Sequence, residues 1–378
     1  MIISDQELWT EEEQAYWLAF DSLSGSGSGF SAKKLTIMYE RLLSLKPAWH
    51  ASRDTLREIP GFTNESIDNF IEKRKTVDPE RVLESLKKAG IRAYPLMHPE
   101  FPFRLRQIHD PPLVIYMKGH LRPDDLQHCC AIVGTRQPTS YGQRLAKEFG
   151  RDLARSGVAV ISGMAVGVDS LAHWGAIEGG GKTAAVLATG VDVCYPSSNK
   201  PLYSKLTQDE LGVVVSEFRP GTTPEPWRFP ARNRIISGLS QAVAVIEAGE
   251  TSGSLITARL AFEQSREVFS VPGRIDNPMS KGTNSLIAKT MAHLCTGYED
   301  IMKEMMWVPA PAKTIPNVVE LYGKEREVYD LISNEPVHFD VLCERSGIDP
   351  PELSAALTML ELAAVIIRHP GDWYSKQI

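Results

Sequence analysis

The sequence predicts an α/β fold: a doubly wound, mostly parallel sheet, preceded by a helical domain and followed by a winged helix. Three observations carry that reading. From about residue 128 to 298, short β-branched runs alternate with helical stretches, the pattern of a parallel sheet covered on both faces. The first 125 residues or so are polar and helical in pattern. The last 60 or so, beyond a proline-rich stretch, run helix, helix, longer helix and hairpin. A length of 378 residues exceeds one core, and 43% hydrophobic with 23% charged residues is an ordinary soluble composition. The expected divisions are 1–125, 126–306, a linker at 307–316, and 317–378.

In the first region, Leu56-Arg57-Glu58-Ile59-Pro60-Gly61-Phe62-Thr63 places apolar positions around a Pro-Gly turn, and Ile67, Phe70 and Ile71 follow at helical spacing. That is the outline of a SAM-like helix-hairpin-helix, which can hold a DNA phosphate on backbone N–H groups or serve only as a packing module. The strands expected in the sheet are Cys130–Val133, Val158–Ser162, Thr183–Leu187, Gly212–Ser216, Ala242–Glu247 and Val268–Val271, with helices such as Tyr141–Ser156 and Leu255–Gln264 between them. Trp307 to Pro316 holds three prolines and reads as a linker. Beyond it, Glu325–Ser333, Phe339–Arg345, Pro351–Leu362 and the pair Val365–Arg368/Trp373–Tyr374 around Pro370-Gly371 give the order of a winged helix.

Several classes are excluded at this level. No apolar run approaches the length that crosses a bilayer, and the acidic start (Glu11-Glu12-Glu13) is unlike a secretory signal. Five scattered cysteines, with only Cys129-Cys130 adjacent and no CxxC, predict reduced thiols and a cytoplasmic protein. The formal net charge of −6 argues against a molecule that is basic overall, so any nucleic-acid site must be local.

Ligands of open α/β sheets bind beyond the carboxyl ends of the strands, so the following loops matter most. Gly134-Thr135-Arg136 follows the first strand and Ser162-Gly163-Met164-Ala165-Val166-Gly167-Val168-Asp169 the second. Ser216-Glu217 leads to Phe229-Pro230-Ala231-Arg232-Asn233-Arg234, and Glu247 leads to Ser252-Gly253-Ser254 at a helix start. Small residues and hydroxyls let backbone N–H groups approach an anion, and helix N-termini add a favourable dipole. The expected anion-binding positions are Gly134, Thr135, Ser162, Gly163, Gly167, Ser252, Gly253 and Ser254.

Two nucleotide motifs fail. Gly180-Gly181-Lys182-Thr183 resembles the end of a Walker A loop, but the first glycine would fall on Ala176, and Lys182 precedes a strand rather than a helix. Gly134 is followed by Thr, Arg and Gln, with the next glycine at Gly142, so no dinucleotide fingerprint is present. Asp169 and His173 share a helix face, and without a third ligand they read as an acid hydrogen-bonded to an imidazole one turn on; no metal or cofactor is expected.

Taken in order, Val133-Gly134-Thr135-Arg136, Ser162 to Asp169 with Ala172-His173, Thr189-Gly190-Val191-Asp192 with Tyr195-Pro196, Phe229 to Ser237, Ser252 to Ala258, Val271-Pro272-Gly273-Arg274 and Gly282-Thr283-Asn284 resemble the DNA-processing A (DprA/Smf) family over about residues 125 to 295. The resemblance implies an extended Rossmann core that binds single-stranded DNA, often as a homodimer, protects incoming DNA and loads a RecA-type recombinase in natural transformation and recombination, without enzymatic activity. Carried over by position, it implies that Arg136 and Lys182 contact DNA, with Arg232, Asn233 and Arg234 lining the pocket.

Residues 129–298 hold 17 Lys/Arg against 14 Asp/Glu, so DNA binding requires Arg136, Lys182, Arg232 and Arg234 on one face. Tyr141, Tyr195, Trp227 and Phe229 stand near these loops, either as stacking surfaces for bases or as core and rim. Residues 317–378 carry 11 acidic and 5 basic residues, and the expected recognition helix, Pro351–Leu362, has no Lys or Arg, which predicts protein contact rather than groove reading. Leu362-Ala363-Ala364 stands where the family usually has a Gly near the wing. The enzyme alternative is a LOG-like phosphoribohydrolase on nucleoside monophosphates, for which Glu217 and Glu247 are the strand-end acids to test. A scaffold that binds only the recombinase is the third reading.

Overall fold

The computed structural model describes residues 9–23, 32–308, 323–363 and 365–376. Contacts divide the chain into two units, Met1–Lys313 and Thr314–Ile378.

The first unit opens with helices α1 (Glu11–Leu23), α2 (Ala32–Leu42), α3 (Leu45–His50), α4 (Arg53–Arg57), α5 (Asn64–Arg74) and α6 (Pro79–Lys88). The expected hairpin is α4, a turn at Gly61 with φ +90°, and α5. Thr63 starts α5 through a capping box with Ser66, and Leu56, Ile67 and Phe70 are buried in an aromatic-rich cluster with Trp17, Phe20 and Trp49.

The expectation of an all-helical stretch to residue 125 is corrected at two places. Between α6 and the core lie strand β1 (Ile91–Pro95), short helix α7 (Phe103–Arg106) and strand β2 (Val114–Gly119). β1 pairs antiparallel with β2, and β2 pairs antiparallel with a strand of the main sheet, so this segment is built into the α/β core. Then follow β3 (Cys129–Val133), α8 (Ser140–Arg155), β4 (Ala159–Ser162), α9 (Val168–Glu178), β5 (Thr183–Val186), α10 (Lys200–Gln208), β6 (Gly212–Ser216), α11 (Arg228–Leu239), β7 (Ala242–Val245), α12 (Gly253–Glu263), β8 (Glu267–Ser270), α13 (Lys281–Ala288), β9 (His293–Leu294) and α14 (Tyr298–Glu304). All six strands expected from the β-branched runs are present, with ends within two residues of those expected.

The nine strands described in this sheet are ordered β1-β2-β6-β5-β4-β3-β7-β8-β9, parallel from β6 to β9. Every residue of β3 is buried, which fits a central strand covered on both faces. One face packs on a cluster with Ile235, Leu239, Ala258 and Ala261 from α11 and α12. The other packs on Leu145, Phe149, Ala172 and Ile301 from α8, α9 and α14. The chain winds one way from β3 to β6 and the other way from β7 to β9, so the topological switch lies between β3 and β7.

Trp307, assigned to the linker, instead packs against the α8/α9 face with its ring 6.2 Å from that of His128. The linker positions 309–316 fall outside the described residues.

The second unit is a winged helix: α15 (Gly323–Leu331), β10 (Val337–His338), α16 (Phe339–Ser346), α17 (Pro350–Leu362), β11 (Ile366–His369) and β12 (Trp373–Lys376). Its small sheet has the order β10-β12-β11, adding one strand to the expected hairpin. Val328, Leu342, Leu353, Leu357 and Leu360 form its core. Glu352 on α17 pairs with Lys324 at 2.5 Å.

Candidate nucleic-acid interface

A crevice of about 690 Å³ opens at the carboxyl edge of the sheet over the β3/β7 switch. Its walls are Gly134-Thr135-Arg136-Gln137 after β3, Ala165 and Asp169 after β4, Tyr195 after β5, Pro226 and α11 after β6, and Ser252-Gly253-Ser254 with Ile256 and Thr257 at the start of α12. From α11 the crevice takes Phe229, Arg232, Asn233 and Ile236. These four are positions i, i+3, i+4 and i+7 of the helix, and Pro230 in its first turn joins them. A smaller chamber of about 170 Å³ adjoins it, sharing Arg136, Tyr195, Phe229 and Arg232 and bounded further by Gly163, Val166 and Ala188.

Arg136 is exposed, and its guanidinium lies over the Phe229 ring, 5.7 Å from the centroid. The Tyr195 ring, itself 43% exposed, stands 5.5 Å from Phe229 and tilted to it. Among the described residues Arg136 has no carboxylate partner. Opposite this cluster, Ser252 caps α12, accepting at Oγ from the Ser254 amide at 3.4 Å and lying 2.8 Å from the Ser254 hydroxyl. A helix of 11 residues thus turns its N-terminus into the crevice.

The floor is a buried charge pair held apart. Arg232 is 5% exposed, and its Nη1 donates to the carbonyls of Gly163 at the end of β4 and Val186 at the end of β5. Burial lowers its pKa to about 10, against the attraction of Asp169. Asp169 accepts from the Gly163 amide at 3.1 Å, and burial raises its carboxyl against the pull of Arg232. A Cβ at Gly163 would sit 2.4 Å from the guanidinium, so a side chain there would displace Arg232 from its carbonyl partners. Gly134 is equally confined: a Cβ would lie 2.6 Å from the Val168 side chain and 2.9 Å from the Glu247 carbonyl.

The expected positions therefore separate. Gly134, Thr135, Arg136, Arg232, Asn233, Ser252, Gly253 and Ser254 line one crevice. Lys182 does not join them. It precedes β5 at the opposite edge of the sheet and pairs with Asp125 at 2.8 Å. Arg234 does not either: two residues from Arg232, it lies off the lining stripe of α11 and pairs with Glu217 at 2.6 Å and Asp110 at 3.3 Å. The requirement of four cations on one face is not met: only Arg136 at the surface and Arg232 beneath it reach the crevice, so a DNA reading rests on the aromatic faces and the helix N-terminus there rather than on a cationic trough.

Four anion-loop expectations change as well. The Ser162 hydroxyl is turned inward, donating to the Ile132 carbonyl at 2.6 Å, and the Gly163 amide is taken by Asp169. The Thr135 amide donates to the Glu247 carbonyl at 2.7 Å, leaving its side chain to face the crevice. Gly167, with φ +89°, starts α9 against the Thr135 carbonyl rather than lining the cavity.

Asp169 and His173 are not hydrogen-bonded to each other as expected. His173 Nδ1 lies 2.7 Å from the Thr183 hydroxyl, its Nε2 is buried without a partner, and burial lowers its pKa to about 3. No group of three or more His, Cys, Asp or Glu suited to a metal ion occurs among the described residues. Gln137, Ile256 and Thr257 were not singled out from the sequence, although each adjoins a loop that was. Tyr141 instead stacks under Arg144 on α8, 5.8 Å away.

Both strand-end acids named for the enzyme alternative have partners. Glu247 accepts from the Thr139 amide at 2.8 Å and hydroxyl at 2.6 Å, tying the start of α8 to β7, and Glu217 is held by Arg234. Among the described residues the crevice has one carboxylate, the buried Asp169.

A family model described as DNA recombination-mediator protein A matches residues 93–306, more than half of the chain. The chain belongs to the DprA/Smf family. The match begins inside β1, and a DprA winged helix domain model matches residues 310–372. Protein Smf of Synechocystis sp. is 32% identical over 97% of this chain and 99% of its own length. The X-ray structure of DprA from Streptococcus pneumoniae superposes with a TM-score of 0.65 at 32% identity, over 78% of this chain and 97% of that one. A DprA structure from Helicobacter pylori, described for its single-stranded DNA binding mode, gives a TM-score of 0.51 at 29% identity, over 57% of this DprA/Smf chain and 95% of its own. No helix among the described residues of this DprA/Smf protein is long and apolar enough to cross a membrane.

Proposed function

We propose that the β3/β7 crevice binds single-stranded DNA with little sequence preference and that the chain, acting in the cytoplasm, is a binding protein rather than an enzyme. The observation that carries this reading is the guanidinium of Arg136 over Phe229 with Tyr195 alongside, at the mouth of a crevice that α12 enters by its N-terminus. Aromatic faces suit any unpaired base, whereas a duplex keeps its bases stacked inside. An unpaired arginine and a helix N-terminus suit a phosphate. The described binding mode of the Helicobacter pylori relative supports the same ligand.

The test is a salt-titrated comparison of oligo-dT with duplex. Single strands should win, with a log–log salt slope of about −0.7 for each phosphate contacted. Equal binding of the duplex sinks the reading.

The mediator role proposed for the family extends to this chain as delivery of bound strands to a RecA-type recombinase, with the core pairing as a homodimer. Recombinase filament growth on single strands coated with a single-strand-binding protein should accelerate when this protein is added, and sedimentation should give twice the mass of the 378-residue chain. The acidic winged helix, with no Lys or Arg on α17, fits protein contact better than groove reading. A gel shift of duplex by residues 317–378 at moderate salt overturns that assignment.

A further inference from the structure

Outside the crevice, the carboxyl edge carries a second aromatic group that the sequence does not explain by packing. Trp227, the residue before α11, is 58% exposed. Several apolar side chains are more exposed, Ile275 and Phe103 among them, so exposure alone selects nothing. What distinguishes Trp227 is how it is held and what it adjoins. Its indole Nε1 donates to Glu225 Oε2 at 2.5 Å, and the other oxygen of Glu225 forms an ion pair with Arg228 at 3.1 Å. The Arg228 guanidinium lies 5.0 Å from the Trp227 ring and 5.5 Å from the Phe218 ring, and the two rings meet edge-on at 6.0 Å. A second bond from Arg228, to the Thr223 carbonyl, fixes the cation. The indole is thus braced from behind while one side meets solvent.

The neighbours on either side of Trp227 connect this platform to the crevice. Pro226 lines the crevice, and Phe229, two residues on, is the ring beneath Arg136. Glu225 would repel a phosphate, but its carboxylate is matched by Arg228. A rigid exposed indole lacking charge conflict, contiguous with a groove for unpaired bases, has the chemistry of a stacking step.

We propose that Trp227 is a second base platform, on which the strand leaving the Tyr195/Phe229 cluster continues toward the β6 side of the sheet. This rests on the crevice reading above. The ligand is an unpaired nucleobase of any identity, since no base-edge donor or acceptor is needed.

The experiment uses the full chain and oligo-dT of about 20 and of about 4 nucleotides. Trp227→Ala should weaken the long oligonucleotide about tenfold and leave the short one within twofold, while Trp227→Phe keeps most of the affinity. Quenching of tryptophan fluorescence on binding should diminish in Trp227→Phe although binding persists. Unchanged affinity and unchanged quenching in these variants, with Tyr195→Ala still weakened, overturn the Trp227 platform alone. Wild-type failure to bind oligo-dT overturns the crevice reading and the platform with it. Equal loss for both oligonucleotide lengths in Trp227→Ala places the indole inside the primary contact and overturns the extension.

Discussion

Arg136 and Lys182 border strands of the same sheet, one just past the carboxyl end of β3 and the other just before β5, and an anion would meet them differently. Arg136 faces an open crevice over an aromatic ring, without a carboxylate partner among the described residues. Lys182 already has Asp125 at 2.8 Å. The carboxyl edge collects loop glycines, a helix N-terminus and an unspent cation because chain reversals and helix starts gather where parallel strands end. The amino edge receives helix C-termini and closes its charges in local pairs. The difference teaches that a basic residue near a strand is informative only once its end of the strand is known.

The largest effect expected from that contrast is on single-strand affinity. Arg136→Ala removes a phosphate partner and the cation over Phe229, and should weaken oligo-dT about thirtyfold at low salt. The log–log salt slope should fall by about 0.7 at the same time. Loss of affinity with an unaltered slope assigns Arg136 to stacking or shape rather than to phosphate.

Tyr195→Ala should come next, at about tenfold, because it removes a base-stacking face. Here the salt slope should stay as in wild type, which separates ring from charge within one edge. A changed slope means that the substitution moves Arg136 as well, by way of Phe229.

The contrast between edges also explains what could be read from residues alone. Six of the seven parallel strands described are legible because buried central strands are runs of Val, Ile and Ala between turn residues, as in Gly212–Ser216, whereas β9 is a two-residue exposed edge. β1 was not, because Ile91-Arg92-Ala93-Tyr94-Pro95 is an edge strand with an arginine and a proline, and its pairing with β2 is fixed by tertiary contact. Lys182 came from resemblance, although the rule that places ligands beyond carboxyl ends argues against a residue preceding a strand. The motif groups Arg232 with Arg234, whereas two residues on a helix turn about 200° apart, so one faces the crevice and the other Glu217. The burial of Arg232 and the inward turn of Ser162 depend on strand-end carbonyls that no sequence pattern displays.

At the other side of the comparison, the response expected is to protons rather than to DNA. His173 bonds Thr183, the first residue of β5, and burial lowers its pKa to about 3. His98 is lowered to about 4, again chiefly by burial, with Arg106 adding to it. Both rings stay neutral in the folded chain while their unfolded counterparts protonate near pH 6.5. Their contribution is therefore intact above about pH 6.5 and lost as pH falls toward the folded values, at up to about 1.4 kcal/mol per pH unit for the buried His173 and less for His98, which solvent partly screens. Unfolding free energy measured between pH 6.5 and 5 should fall with pH in wild type, and no more than about half as steeply in His173→Gln if these two rings dominate. An equal slope in the two proteins shows that His173 titrates normally and that its site admits the charged form.

The smallest effect should come from Lys182→Ala. The pair with Asp125 is more than one-third exposed on both sides, so solvent screens it, and its contribution to stability should stay below about 1 kcal/mol. Burial works against the Asp125 carboxylate, yet the Lys182 ammonium and the Arg122 amide hold its pKa below the usual range, so the charge of the lysine is already matched within its own edge. Single-strand affinity should change less than twofold. Asp125→Ala sharpens the point, because it frees Lys182 without touching the crevice. If affinity then rises in a way that Lys182→Ala abolishes, the amino edge is a latent part of the DNA path that Asp125 holds shut. If Lys182→Ala alone weakens binding as far as Arg136→Ala, the strand wraps from one edge of the sheet to the other, and the carboxyl crevice is only its first half.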